Sequence, residues 1–265
     1  MTPSTPCPVC GARHAELFFQ HAAGPLPRCL DCGMIWLDPP PSRATVDALY
    51  TDAYAGATTG YFSKVERKLS RSAGRVRHML RVLGSGASGG GVAGGGVAGG
   101  GAVGKSFLDV GANGGFMSEA ARRAGFEVTG VEPDGQSVAY AREHYPGIRF
   151  LNAFIEDAEL PPDSFDAVYC SEVIEHSFDV NAFVAAIARA MKPGGIFYVT
   201  TPDINHWRRP KDVTKWDAFG PPSHCLYFSP ANLARLLDRH GLDTIVKRIA
   251  FKPGIKLIAR KRATA

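Results

Sequence analysis

The feature that most constrains this chain is a glycine-rich turn directly after a short apolar strand. Residues 107–115 read Phe-Leu-Asp-Val-Gly-Ala-Asn-Gly-Gly, so an apolar run leads into closely spaced glycines. Glycine adopts positive φ readily and lets a ligand approach the main chain, and Asn113 is the non-glycine residue type that best tolerates this conformation. A helix is predicted to follow, over about Phe116 to Ala124. The pattern predicts a nucleotide-type ligand at the turn.

The strand after this helix ends in an acidic residue. Residues 126–131 read Phe-Glu-Val-Thr-Gly-Val and predict the strand, and Glu132 follows it. Glu132 lies about 20 residues after the first glycine of the turn, the spacing at which a carboxylate receives ribose hydroxyls. A dinucleotide pattern G-x-G-x-x-G would need further glycines, but the chain has Asn113 and Phe116 there. NAD and FAD are therefore disfavoured.

The motifs between residues 105 and 202 resemble, in order, those of the class I S-adenosylmethionine-dependent methyltransferases. The first motif of that family is D-x-G-x-G-x-G, and Asp109, Gly111 and Gly115 match it. Asn113 departs from it. Further similar segments are residues 160–166, 171–176 and 191–200. Both the resemblance and the repeated strand–helix pattern predict an α/β fold with a doubly wound, Rossmann-like parallel sheet.

The resemblance implies that S-adenosylmethionine binds at the carboxyl ends of the strands. The glycine turn would border the methionine moiety, and Glu132, with Pro133 ending its strand, would accept both ribose hydroxyls. The loop after the third strand would hold adenine through Ile155 and Glu156, with Asp157 as the alternative to Glu156. The implied cofactor residues are Asp109, Gly111, Asn113, Gly115, Glu132, Pro133, Ile155, Glu156 and Ser171.

Histidine is the residue type expected to take the acceptor's proton. The sulfonium of the cofactor is already activated, so positioning and proton removal supply most of the catalysis. His224 is predicted as the base or substrate anchor, with Tyr227 beside it, because both lie in an aromatic-rich segment after the fifth strand. A purely structural role is an open alternative for His224, and it is the favoured one for the second candidate, His176.

Four of the six cysteines form two C-x-x-C pairs, which are Cys7 with Cys10 and Cys29 with Cys32. This spacing predicts a structural Zn²⁺ site closed by four thiolates. Disulfides or free thiols are the alternative, and the reducing compartment expected for this chain disfavours the disulfides.

Composition divides the chain into four predicted segments. Residues 1–40 would form the zinc ribbon, and residues 41–83 a helical lid or connector. Residues 84–104 contain 12 glycines and predict a flexible linker. Residues 105–265 would form the methyltransferase domain. Candidates for an aromatic lid over the cofactor are Tyr54, Tyr61 and Phe62.

The sequence favours methyl transfer to a small molecule such as a sugar, a nucleotide sugar, a quinone-like compound or a natural-product intermediate. A four-cysteine ribbon joined to this core resembles bacterial small-molecule methyltransferases of polysaccharide and natural-product pathways. Residues 170–176 also resemble quinone O-methyltransferases.

Two alternatives stay open. A ribosomal or transfer RNA base methyltransferase would use the ribbon, the net charge of +5 and a basic helix over residues 61–83 to bind RNA. A non-catalytic interaction protein would bind the cofactor without turnover. The chain lacks an apolar run long enough to span a bilayer and a signal peptide pattern, so a cytoplasmic protein without a membrane partner is expected.

Overall fold

The structure is a computed structural model that describes residues 2–48, 64–85, 102–248 and 250–263. Most of the predicted linker, residues 86–101, lies outside the described residues, as do the three predicted lid residues. Across the described ranges, no helix combines the length and apolar character that crossing a bilayer requires.

The elements before the glycine turn include the strands β1 (Ala15–His21), β2 (Gly24–Cys29) and β3 (Ile35–Trp36) and the helix α1 (Val65–Gly84). The turn and its flanks comprise β4 (Ser106–Val110), α2 (Phe116–Arg123), β5 (Glu127–Glu132), α3 (Gly135–His144) and β6 (Arg149–Asn152). The remaining elements are β7 (Phe165–Ser171), α4 (Val180–Ala190), β8 (Met191–Pro202), β9 (Leu226–Tyr227), α5 (Pro230–Arg239), β10 (Leu242–Lys247) and β11 (Gly254–Lys261). Strand and helix alternate from β4 to β6 and again from β7 to β8, as the sequence pattern predicts, whereas a loop without a helix joins β6 to β7.

The larger sheet has, among the described residues, seven strands in the order β10-β11-β8-β7-β4-β5-β6. β4 pairs in parallel with β5, and β5 in parallel with β6. The chain moves outward from β4 through β5 to β6 and then returns to the other side of β4 with β7. The strand order therefore reverses between β4 and β7, and in such sheets ligands bind beyond the carboxyl ends of the strands at that point. The predicted doubly wound α/β fold is confirmed.

A cluster of buried apolar residues from the glycine turn, α3 and β6 packs beside the turn. Ala112, Val138, Ala141, Ile148 and Phe150 are buried together there. Residues 107–110 of β4 are buried, as expected for a strand inside a parallel sheet, which explains why three of its five residues are apolar. Because this core fixes the ends of β4 and β5, it also fixes the turn between β4 and α2.

The cysteine-rich segment forms a separate small sheet. Over the part of the chain that the structure describes, this sheet has four strands in the order β1-β2-β3-β9. β9 pairs with β3 through Ile35 with Tyr227 and Trp36 with Leu226. The described residues before 53 group with residues 170–188 and the described part of 199–259 into one compact unit, and the other described residues form a second. The domain boundaries predicted after residues 40, 83 and 104 stay predictions.

Helix α1 begins at Val65, because Lys64 before it has a φ of 57° and lies outside helical geometry. Its buried residues recur at three- and four-residue intervals on one face and are Leu69, Ser72, Val76, Met79 and Val82.

Glycine at position 130 is expected to be required by packing. A Cβ atom there would lie 2.6 Å from Phe150 Cδ1, inside the core. We expect Gly130→Ala to lower the free energy of unfolding by about 1–3 kcal/mol. The control is Gly74→Ala in α1, where a Cβ meets nothing within 4 Å; it should raise stability by about 0.5–1 kcal/mol. Urea unfolding of both variants measures this, and equal stabilities would contradict the packing argument.

Candidate functional site

The glycine turn has the backbone conformation that its sequence predicts. Gly111, Asn113 and Gly115 have φ values of 73°, 46° and 79°. The N–H groups of Gly111 and Ala112 both donate to Val131 O, at 2.9 and 3.1 Å. The turn is thereby tied to β5, and its main chain is held in the left-handed region that brings it close to a ligand.

Gly115 ends the turn for a steric reason. A Cβ atom there would lie 2.9 Å from Phe150 Cζ and 2.9 Å from Tyr145 Cδ2. α2 begins at the next residue, so its first N–H groups point toward the turn, where a helix favours electronegative ligand atoms. The glycine thus allows both close packing and the start of the helix.

Glu132 lies at the end of β5 and is 3% exposed. Its Oε2 accepts from the N–H of Asn113 at 2.9 Å, and its Oε1 accepts from the N–H of Asp134 at 3.0 Å. Burial raises the pKa of this carboxyl to about 7. Each carboxylate oxygen has a further lone pair, so the ionised group can also accept two hydroxyl hydrogens. The residues present therefore fit the ribose of S-adenosylmethionine, and the assignment of Glu132 to the ribose stays a prediction.

Asp109 is 1% exposed within β4. Its Oδ2 accepts a hydrogen bond of 2.6 Å from Ser118 Oγ on α2, and burial raises its pKa to about 6. These contacts hold α2 against β4. In this structure Asp109 therefore stabilises the two elements on either side of the turn, β4 and α2. Its predicted contact with the cofactor stays a prediction.

The loop after β6 is anchored to the end of β5. Asn152 Nδ2 donates to Glu132 O and to Pro133 O, at 3.1 and 2.7 Å. Further along the loop, Ile155 is buried and Glu156 is half-buried. The loop predicted to hold adenine thus starts beside the predicted ribose ligand, and the assignment of Ile155 and Glu156 to adenine stays a prediction.

Ser171 and the residue after it lie at the carboxyl end of β7. Ser171 Oγ and Thr200 Oγ1 lie 2.7 Å apart, and Thr200 Oγ1 donates to Glu172 Oε1 at 2.9 Å. Glu172 is exposed and has a φ of 56°, a conformation that costs energy for a non-glycine residue. Sequence reasoning singled out Ser171 here and gave Glu172 no role.

The two predicted catalytic histidines lie together. The rings of His176 and His224 meet edge to face, with centroids 4.6 Å apart. His176 Nδ1 lies 2.8 Å from Ser223 O, and His224 Nδ1 lies 2.8 Å from Ala218 O. Burial lowers the pKa of His176 to about 4 and also lowers the pKa of His224. Both imidazoles are therefore neutral near pH 7.

Tyr227 supports the segment that carries His224. Its hydroxyl donates to His224 O at 2.8 Å, and its ring packs against Phe219. Burial raises the pKa of this phenol. In this structure, therefore, Tyr227 positions the loop, and its predicted contact with substrate stays a prediction.

Glu175 is a buried acidic residue beside the two histidines, and sequence reasoning gave it no role. It is 1% exposed, and its Oε2 accepts from Thr201 Oγ1 at 2.9 Å. Among the described residues its Oε1 has no hydrogen-bond partner. Burial, followed by the charge of Glu172, raises the pKa of Glu175 to about 8. The sequence signals were its place directly before His176 and inside the family-like segment 171–176, but a sequence does not show that a glutamate is buried.

The four ribbon cysteines converge on one point. Sγ atoms lie 3.5 Å apart between Cys7 and Cys32 and between Cys10 and Cys29. The four sulfurs all lie within 4.8 Å of one another. Thiolates around a tetrahedral Zn²⁺ lie about 3.8 Å apart, so the four fit this ion.

Each C-x-x-C pair forms the same tight turn. Gly11 N–H donates to Cys7 O at 2.8 Å, and Gly33 N–H donates to Cys29 O at 2.9 Å. Both glycines have positive φ. A hydrogen bond with Cys32 and then burial raise the pKa of the Cys7 thiol, so this thiol is hard to ionise without a cation.

A model of the methyltransferase domain family matches residues 95–247, which include the turn, Glu132 and both histidines. The chain belongs to the methyltransferase domain family. The resemblance to S-adenosylmethionine-dependent methyltransferases and the predicted enzyme class are thereby confirmed.

Similar proteins agree with this family. The ubiquinone biosynthesis O-methyltransferase of Idiomarina loihiensis is 36% identical over 162 residues, which are 57% of this methyltransferase and 67% of that protein. The enzyme of the same name from Rhodopseudomonas palustris is 33% identical over 147 residues, 51% of this chain and 57% of that protein. The matched segments thus cover between 57% and 67% of these two relatives.

A solved structure extends the likeness across most of the chain. The 1,6-didemethyltoxoflavin-N1-methyltransferase of Burkholderia thailandensis, crystallised with S-adenosylhomocysteine, has a TM-score of 0.59 at 17% identity. The alignment covers 94% of this chain and 100% of that one. At this identity the likeness shows the fold alone.

Affinity for S-adenosylhomocysteine should depend on pH through Glu132. In the predicted site the ionised carboxylate of Glu132 would accept the ribose hydroxyls, and its pKa is about 7. Protonation removes an acceptor, so affinity should fall as the pH drops below about 7, approaching tenfold per pH unit. Calorimetry between about pH 8 and about pH 6 measures this.

Two variants distinguish the titration of Glu132 from the titration of other groups as the cause of the pH-dependent affinity. Glu132→Gln should bind more weakly, with an affinity that varies little over the same pH range. Glu127→Gln, at the exposed start of the same strand, should keep the dependence of the wild type. An unchanged affinity and pH profile in Glu132→Gln would disprove the ribose assignment.

Proposed function

We propose that this methyltransferase transfers a methyl group from S-adenosylmethionine to a hydroxyl oxygen of a small quinone-like acceptor. The observation that carries the proposal is the 36% identity to a ubiquinone biosynthesis O-methyltransferase, over a region of 162 residues. The neutral histidine pair supports it, because oxygen methylation requires a hydroxyl to lose its proton.

The cofactor would be held by the residues of the turn and the two strands beside it. Glu132 would accept the ribose hydroxyls while its carboxylate keeps the N–H groups of Asn113 and Asp134 in place. Ile155 would offer an apolar surface to adenine. When bound, S-adenosylmethionine supplies a methyl group on a positively charged sulfur, so the protein needs only to orient the acceptor and assist its deprotonation.

His224 is the residue we assign to deprotonation of the acceptor. A carbonyl oxygen only accepts hydrogen bonds, so the contact with Ala218 O places the proton on Nδ1 and the lone pair of the neutral ring on Nε2. Tyr227 would hold this loop through His224 O and act as a positioning residue.

RNA stays the alternative acceptor, but two residues of the predicted basic face are used inside the fold. Arg75 donates to Tyr169 Oη at 2.8 Å. Lys68 lies 4.7 Å from the centroid of the Phe116 ring, and burial lowers its pKa. The charge of α1 that faces solvent is therefore smaller than the sequence pattern indicates.

The acceptor class can be tested with methyl-labelled S-adenosylmethionine. Purified protein is offered a panel of hydroxylated quinone precursors and, separately, total bacterial RNA. Label is expected in the phenolic compounds, and Glu132→Gln should reduce it at limiting cofactor. Label confined to RNA would favour the RNA enzyme. Absence of label in every fraction, with normal cofactor binding, would favour the non-catalytic alternative.

We further propose that the four ribbon thiolates bind a structural Zn²⁺. The converging sulfurs and the two matching turns support this. The ion would supply stability and no step of the chemistry, because four protein ligands close its coordination sphere.

Loss of one thiolate should release this ion. Cys10→Ser is expected to abolish the thiolate-to-cobalt absorption of the Co²⁺-substituted protein and to lower the melting temperature. Cys170→Ala, which removes a thiol inside β7, should keep the absorption. A metal-free wild type with the same melting temperature as the loaded protein would contradict a structural role.

A further inference from the structure

The segment that carries His224 has little burial of its own. We call residues 217–224 the His224 loop. Asp217 and Gly220 in it are exposed, and its other residues are half-buried. Core packing therefore does not fix the backbone of this loop. Its position depends on contacts with neighbouring elements, and the ribbon supplies such contacts at the middle of the loop and directly after its end.

The ribbon holds the backbone that follows the His224 loop. Strand β3 pairs with β9, which begins two residues after His224. The residue after β3, Leu37, donates its N–H to Cys225 O at 2.8 Å. The residues directly after His224 are thus bound to ribbon backbone, so this end of the loop cannot move unless the ribbon moves with it.

Phe19 of β1 contacts the middle of the His224 loop. Its ring packs edge to face against the ring of Phe219, with centroids 5.2 Å apart. The ring of Tyr227 in β9 is a further neighbour of Phe219, also with centroids 5.2 Å apart. Aromatic rings at this separation attract each other, and edge to face is one of their preferred arrangements. The ring of Phe219 is therefore held between a ring of the ribbon and a ring of β9.

Holding Phe219 also fixes the carbonyl group that orients His224. Ala218 O lies 2.8 Å from His224 Nδ1 and accepts the proton that this nitrogen carries. The carbonyl of Ala218 and the N–H of Phe219 belong to one planar peptide unit, so they turn together. That N–H donates to Trp216 O at 2.9 Å. The direction of the carbonyl therefore depends on the position of Phe219.

Resting on the proposed function, we propose that Phe19 of the ribbon is a positioning residue for His224 in the deprotonation of the acceptor. The packing of Phe19 on Phe219 fixes the peptide that follows Ala218, and the carbonyl of that peptide keeps the imidazole proton on Nδ1. The lone pair of Nε2 is then free to accept the proton of the acceptor hydroxyl. Without the ring of Phe19 this peptide gains freedom, and the tautomer with its proton on Nε2, which cannot accept there, becomes populated.

The tautomer of His224 can be measured without substrate or turnover. Long-range proton–nitrogen correlation spectra of the neutral imidazole show which nitrogen carries the proton, and the His224 signals are assigned by their absence from His224→Gln. We expect the wild type to carry the proton on Nδ1 alone. Phe19→Ala should show a mixture of the two tautomers. Phe19→Tyr, which keeps the ring, should restore the single tautomer.

Phe18→Ala is the matched control within the ribbon. It removes an aromatic ring from the same strand, but the ring of Phe18 faces Arg28 of β2, whose guanidinium lies 4.6 Å from the ring centroid. We expect this variant to keep the tautomer of the wild type. Phe219→Leu removes the contact from the side of the loop and leaves the ribbon sequence intact, so it tests the same contact if Phe19→Ala does not fold. It should give the mixture of tautomers.

Kinetics give a second readout that general loss of stability would not produce. Phe19→Ala should lower kcat for methyl transfer by about 10- to 100-fold, the range in which a misplaced catalytic group slows a reaction. The affinity for S-adenosylhomocysteine should stay that of the wild type. Phe18→Ala should keep both values.

Three results would overturn the role of Phe19. They are a wild type with the proton of His224 on Nε2, a single Nδ1 tautomer in folded Phe19→Ala or in Phe219→Leu, and the same tautomer mixture in Phe18→Ala. The tautomer also separates this role from the proposed reaction. A mixture in Phe19→Ala, found with a wild type that methylates no acceptor, would support the contact and refute the proposed reaction. An unchanged tautomer in an active enzyme would refute the contact alone.

Discussion

The positions of the predicted cofactor residues depend on the hydrogen bonds that the carboxylate of Glu132 accepts. It accepts from Asn113 N–H in the turn and from Asp134 N–H beyond β5, so one buried group joins two backbone segments. Asp134 in turn caps α3 by accepting from Ser137 N–H. These hydrogen bonds link the left-handed turn, the end of β5 and the start of α3. They are present without a ligand, so polar ligand atoms would add hydrogen bonds to a site that is already formed.

Local sequence was sufficient to predict this region. The apolar run of β4, the glycines, α2 and Glu132 all lie within about thirty residues of each other, and each follows from side-chain size or backbone freedom. The start of α5 was predictable for the same reason, since Ser229 caps it and Pro230 begins it. The cysteine spacing likewise predicted the convergence of four thiols.

Contacts between distant segments could not be predicted in this way. β9 has two residues, and only its pairing with β3 makes it a strand. The same limit explains why Glu175 was missed, since its burial depends on Thr201 and on neighbours that the local pattern does not contain. The ribbon also receives hydrogen bonds from far along the chain, from Asn181 to Pro8 O and from Arg239 to Val9 O. Its stability is therefore not a property of its own forty residues.

Because Glu132 at the end of β5 titrates near pH 7, cofactor binding is expected to change the number of protons that the protein holds. Because the pKa of Glu132 is about 7, part of the unbound protein carries a proton there near pH 7, whereas the proposed hydrogen bonds to the ribose would favour the charged form. Association would then release protons into the medium. The heat recorded on mixing includes the enthalpy with which the buffer takes them up, so apparent enthalpies in phosphate and in Tris will differ although the complex formed is the same.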